Sequence, residues 1–150
     1  KDFIMPVDEN ARGSFAESIE TLRGVVFILD DHLEAAKKLF QSLLERTEHS
    51  LSETFCQLYL LQIALLEGDN EKAEQYASNR SVKSFLSLKM ADVQMIQAWY
   101  QFKVKKDVAQ ARKAMKIARQ KMNSSRMLQD EQCYYENWLA ELEKALVEGV

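Results

Sequence analysis

The chain has 150 residues, 47% hydrophobic and 29% charged, with one proline, four glycines and a net charge of −3. A chain of this length can bury ~70% of the surface it exposes when unfolded, so one domain with a substantial core is expected. Scarce proline and glycine, abundant Leu, Ala, Glu, Lys and Gln, and no period-two run exclude a sheet protein and favour an all-α one.

Residues 1–13, with Phe3, Ile4, Met5 and Pro6, lack helical periodicity and read as an N-terminal arm or linker; the helical domain is expected over 14–150. The chain opens on Lys with no basic-then-apolar leader, so it reads as the soluble part of a larger protein. Ser14 and Glu17 have the spacing of a capping box. The first helix should start there and bury Phe15, Ile19, Leu22, Val26 and Leu29, which follow three-and-four spacing. Gly24 lies inside it at a cost of ~1 kcal/mol relative to Ala, and close approach of the next helix is the simplest compensation. A second capping pair, Asp31 and Glu34, opens a helix with Ala35, Ala36, Leu39, Phe40, Leu43 and Leu44 on a wide apolar face, and Ser50 with Glu53 opens a third.

That third helix runs into Gly68-Asp69, where Gly68 is suited to a left-handed helix end and Asp69 to capping a short helix over Asn70 to Ala77. Residues 82–90 read either as an extra turn or as the start of the next helix, which covers Val93 to Val104. From Asp107 a helix carries Ala111, Met115, Ala118 and Met122 on one face. A last helix from about Leu128 carries Tyr135, Leu139, Leu142 and Leu146, covering what the preceding pair leaves open.

Asp31, Asp69 and Asp107 are spaced 38 and 38 residues apart, each with Ala four residues on, which is a repeat signal. Counting the first unit from His32 instead gives Gly24, Phe27, Ala36 and Phe40 at the corresponding positions, and a period of 37 then 38. With Leu60, Leu61, Ala64, Gly68-Asp69, Ala73 and Ala77, and with Ala98, Trp99, Phe102, Asp107, Ala111, Met115 and Ala118, the pattern resembles the tetratricopeptide repeat over roughly residues 14–122. The resemblance implies three antiparallel helical hairpins stacked as a right-handed superhelix, about seven helices including a C-terminal capping helix. It also implies a ligand groove lined by the first helix of each hairpin, here at Phe27, Phe55, Leu58, Gln62, Leu65, Ile96 and Tyr100. The set is mostly apolar and lacks the basic carboxylate clamp of the family's chaperone-tail binders. It suits an amphipathic or extended peptide, or burial by the last helix or a second copy.

Catalytic signals are weak. His32 and His49 fall at interhelix turns with no second His or Cys at ligand spacing, and there is no Gly-rich phosphate loop, nucleophile elbow or His-Glu-x-x-His. No metal, cofactor or enzymatic role is expected. No run reaches the ~18 apolar residues of a membrane span. Cys56 and Cys133, far apart, read as reduced thiols of a cytoplasmic protein. Residues 103–126 carry a net +8 and 127–150 a net −5; Arg112, Lys116 and Arg119 form an exposed basic stripe. With a sequence pI near 5.5 and no interleaved aromatics, a solvated outer face is favoured over nucleic acid or anionic membrane. The leading functional expectation is a non-catalytic protein–protein interaction module, by docking or homodimerisation. The alternatives are a peptide-binding regulatory domain like those of some bacterial regulators and, third, a basic-face binder.

Overall fold

The computed structural model describes residues 9–124 and 129–148. They form eight helices: α1 (Glu9–Leu29), α2 (Leu33–Arg46), α3 (Ser50–Glu67), α4 (Asn70–Ala77), α5 (Arg80–Leu86), α6 (Ala91–Lys103), α7 (Val108–Ser124) and α8 (Gln129–Glu148). The fold is all-α. Consecutive helices pair as α1 with α2, α3 with α4 and α6 with α7, while α2 packs as closely on α3, α1 also packs on α3, α3 on α6, and α6 on α8. Phe3, Ile4, Met5 and Pro6, and the expected start of the last helix at Leu128, lie outside the described residues.

Three turns repeat the same chemistry. In each, one residue takes the left-handed conformation: Asp31 at φ 62°, Gly68 at φ 77° and Lys106 at φ 57°. The next residue, His32, Asp69 or Asp107, accepts on its carbonyl the first backbone bond of the returning helix, from Ala36, Ala73 or Ala111, at 3.0 Å each time. All three alanines are fully buried. The spacing is therefore 37 then 38, counted from His32. Asp31 does not cap α2 with its side chain; it occupies the left-handed position, and His32 has no side-chain cap bond. Ser50 likewise begins α3 without a cap on His49, whereas Asp69 Oδ1 accepts from Lys72 N at 3.1 Å and Asp107 Oδ1 from Gln110 N at 3.0 Å.

Between the second and third pairs the chain makes an additional short helix. Asn79 Oδ1 accepts from Ser81 N and Val82 N at 2.9 and 3.2 Å and so starts α5 directly after α4. The buried Gln94 side chain donates to the Leu86 and Leu88 carbonyls at 3.1 and 2.8 Å, closing the exit of α5 onto α6. The ambiguous stretch at 82–90 is thus the end of a separate helix followed by a turn over 87–90, and the described helices number eight instead of seven.

The largest departure from expectation is in α1. It begins at Glu9, upstream of Ser14, so Ser14 lies inside the helix and not at its start. Its buried side is Gly24 and Ile28, flanked by half-buried Thr21 and Val25, while Phe15, Ile19, Leu22 and Val26 are 70%, 46%, 64% and 52% exposed. The reason is Gly24. An ideal Cβ built there would stand 2.3 Å from Phe40 Cζ, so the α2 ring fills the space a side chain would need. Phe40 is itself fully buried and stacked on Tyr59 of α3, with ring centroids 5.3 Å apart. At 100° per residue, the four apolar residues lie about 140–180° around the helix from Gly24 and must face away from α2. Polar groups complete the seam: Thr47 Oγ1 donates to Glu17 Oε1 at 2.6 Å, and Arg46 forks onto the Glu20 carboxylate.

Ala at position 24 gains ~1 kcal/mol of helix propensity but overpacks a ring with no room to retreat, at about 1–3 kcal/mol or more. Gly24→Ala is expected to lower stability in urea unfolding, and Phe40→Leu in that background to cost less than it does alone. Independent, additive effects at the two positions would contradict the contact.

Candidate functional site

The positions nominated as a groove are mostly interior. Leu58, Gln62, Leu65, Ile96 and Tyr100 are buried, and Phe27 and Phe55 are half-buried. Helix α8 supplies much of the cover. Its buried face, Tyr135, Trp138, Leu139, Leu142 and Leu146, joins the main apolar cluster, and Trp138 stacks on Trp99 of α6 with centroids 5.5 Å apart. Tyr134, at the same end of α8, packs against both apolar clusters of the domain and lies beside Gln62, whose buried amide makes no well-formed hydrogen bond among the described residues. Tyr100 turns toward α4 instead, where its hydroxyl donates to Glu74 Oε2 at 3.1 Å. Burial alone would raise Glu74, but hydrogen bonds from Lys105 and Tyr100, the charge of Lys105 and a bond from Ser78 outweigh it and hold the carboxyl below the ordinary range.

Under α8 lies an acidic cluster. Burial raises the carboxyl of Asp92, at the start of α6, despite the bond it accepts from Val93 N at 2.9 Å. Burial, then the charge of Asp92, raises Glu131 of α8. The buried Tyr59 and Tyr135 phenols are pushed up by burial first and by Asp92 second. The packing places two carboxyls near each other among tyrosines that stay protonated, so the cluster penalises its own ionisation. Burial also pushes the Cys56 thiol up to about 12, which leaves it unreactive; Cys133 is exposed.

The basic stripe lies on the surface of α7 as expected, with Arg112, Lys116 and Arg119 exposed. It is partly neutralised: Arg119 pairs with Glu143 of α8, and Arg112 lines a cleft that also contains Glu143, Lys144 and Glu148. Other cations of the basic segment are engaged as well. Lys105 pairs with Glu74 at 3.2 Å, and Lys103 donates to the Leu65 carbonyl and sits 5.1 Å from the centroid of the Trp99 ring.

The surface that stands out was expected to be core. Phe15, Ile19, Leu22 and Val26 form a continuous outward stripe on α1, and Leu51 at the start of α3, 59% exposed, extends it. Between the two helices is a cleft of ≈290 Å³ lined by Ser18, Thr21, Leu22, Leu51, Ser52, Phe55 and Tyr59. Of the nominated groove residues only Phe55 reaches this cleft, where it stacks on Tyr59 and meets Phe85 of α5 edge-on. The sequence signal for this surface was the choice of partner for Gly24: once Phe40 faces it, the stripe faces solvent.

Among the described residues there is no group of three His, Cys, Asp or Glu that could hold a metal ion, and no helix long and apolar enough to cross a membrane. No family model, curated protein or solved structure matches the chain.

The acidic cluster gives a pH dependence whose sign follows from the raised carboxyls. A carboxyl raised on folding stabilises the fold below its unfolded pKa, and that contribution is lost as pH rises through the folded value. Asp92→Asn removes the ionisation penalty. Its stability in urea unfolding, measured relative to the unmodified chain, is expected to be most favourable near pH 7 and to shift toward the unmodified chain as pH falls to about 4. A relative gain that grows on acidification would contradict the assignment.

Proposed function

We propose that this chain is a non-catalytic protein–protein interaction module that docks its partner on the outer face of α1 and the adjoining start of α3. One observation carries the reading: the stripe Phe15–Ile19–Leu22–Val26 with Leu51 is exposed, continuous and open to a cleft. Monomeric proteins rarely leave an apolar patch of several hundred Å² without a use for it. The cleft between α1 and α3 suits an inserted apolar side chain, with Leu22, Leu51 and Phe55 as walls and the polar Ser18, Thr21 and Ser52 at its edge.

Pairing of successive helices and contacts between alternate ones, α1 to α3 to α6 to α8, support a stack of the tetratricopeptide-repeat type. On that reading α8 fills the C-terminal part of the concave side and the α1–α3 cleft is the part left for a ligand. Pairing of Arg119, Lys105 and Lys103 within the domain speaks against a nucleic-acid role for the basic segment. A reducing cytoplasm suits a chain with one buried and one exposed free thiol.

A docking face differs from a core face in what it contributes to stability. Leu22→Ser and Leu51→Ser, measured on dilute protein by urea unfolding, are each expected to change stability by no more than about 0.5 kcal/mol. Losses of about 2–5 kcal/mol, the cost of truncating a buried leucine, would mean that the chain covers this face itself and would overturn the reading.

A further inference from the structure

Resting on the docking face just described, we infer that its occupant is a second copy of this chain, bound through α1 against α1 in an antiparallel, two-fold arrangement. The stripe is spaced four, three and four residues apart, at 15, 19, 22 and 26. That order is the same read in either direction. Laid antiparallel about a two-fold axis between Glu20 and Thr21, two copies set Phe15 against the partner's Val26, and Ile19 against the partner's Leu22. The largest side chain of the stripe meets the smallest at both ends, and two similar side chains meet in the middle. Self-complementarity of this kind is what a two-fold interface requires of one patch, and an unrelated partner does not impose it. The three-and-four spacing is also that of a seam between two helices packed side by side.

Area and charge agree. The exposure of these four residues and Leu51 leaves roughly 500 Å² of mostly apolar surface, a large part of the ~800 Å² per partner of a standard interface. Arg23, which is exposed, flanks the stripe on one side and does not lie among its four apolar residues. Glu17 and Glu20 are turned to Thr47 and Arg46 of the same chain, so they are committed away from the seam. A lipid surface fits less well: helices that lie in a membrane interface are rich in lysine and arginine on their polar face, whereas the side of α1 opposite the stripe carries Glu17 and Glu20 beside a buried Gly24 and only Arg23 is an exposed cation among its described side chains.

Sedimentation of the full chain over a wide concentration range, together with site-directed cross-linking, tests the proposal. The unmodified chain is expected to sediment as a dimer. Leu22→Arg, and independently Ile19→Lys, should weaken self-association by ~100-fold or more while circular dichroism stays unchanged, because a central interface side chain is replaced by a charge at both sites of the dimer. In a Cys133→Ser background, a short bis-maleimide should link Phe15→Cys chains to Val26→Cys chains. It should not link Phe15→Cys chains to one another, since antiparallel packing separates the two Phe15 positions by about 16 Å along the axis. Efficient Phe15-to-Phe15 linkage would overturn the antiparallel arrangement. A chain that stays monomeric at every concentration would overturn the second copy as occupant. In that case, unchanged stability of Leu22→Ser and Leu51→Ser would keep the docking face for another protein, and a large loss would remove both readings. Dimerisation that appears only in a Phe3→Ser, Ile4→Ser, Met5→Ser chain would also overturn the proposal, identifying the chain's own N-terminal segment as the occupant.

Discussion

The seating of the Phe40 ring on Gly24 decides how this molecule meets its surroundings. A glycine inside a helix is a weak point in propensity alone, and here it admits a fully buried aromatic ring against bare backbone. Because the ring also stacks on Tyr59, the contact fixes α1, α2 and α3 to one another at a single point. Rotation of α1 to bury its apolar stripe instead would remove Gly24 from the ring and carry Glu17 and Glu20 away from Thr47 and Arg46. The first two helices therefore sacrifice burial of four apolar side chains to gain one tight crossing. The consequence is a helix that packs through Gly24 and Ile28 with polar groups along its seam, while its outer face is greasy.

At the other end of the chain the opposite solution is used. Helix α8 buries Tyr135, Trp138 and its leucines Leu139, Leu142 and Leu146, and pairs Glu143 with Arg119 of α7. It places Tyr134 against both apolar clusters and so links the two ends of the domain, with direct packing of α8 on α1. The link includes unfavourable features, the Gln62 amide without a well-formed hydrogen bond among the described residues and the Asp92–Glu131 proximity, which aromatic burial around them must outweigh. An asymmetric domain results, closed where α8 lies and open where α1 and α3 diverge around Leu22, Leu51 and Phe55.

Much of this was legible in the residues. The turns at His32, Gly68-Asp69 and Asp107, and the buried faces of α7 and α8, follow from spacing and capping chemistry, because Ala111, Met115, Ala118 and Met122, or Tyr135, Leu139, Leu142 and Leu146, have no competing face. Helix α5 was hidden because seven residues are too few for a period to declare itself, and only the Asn79 cap marks its start. The face of α1 was misread for a physical reason. Periodicity identifies which residues of a helix share a side, but it does not say whether that side meets the same chain or another molecule. Gly24 and Phe40 held that information jointly, one as a gap and the other as the group that fills it. Burial was not legible for the groove positions: Gln62 lies beside Tyr134 of α8, and Tyr100 belongs to the contact with Glu74.

The orientation of α1 is the claim on which the rest depends, and side-chain footprinting measures it without any partner being known. Brief exposure of the dilute chain to hydroxyl radicals, followed by residue-level mass spectrometry, should modify Phe15 and Leu22 readily and leave Ile28 and Phe40 protected. Protection of Phe15 and Leu22 with modification of Ile28 would show α1 turned the other way and contradict the account.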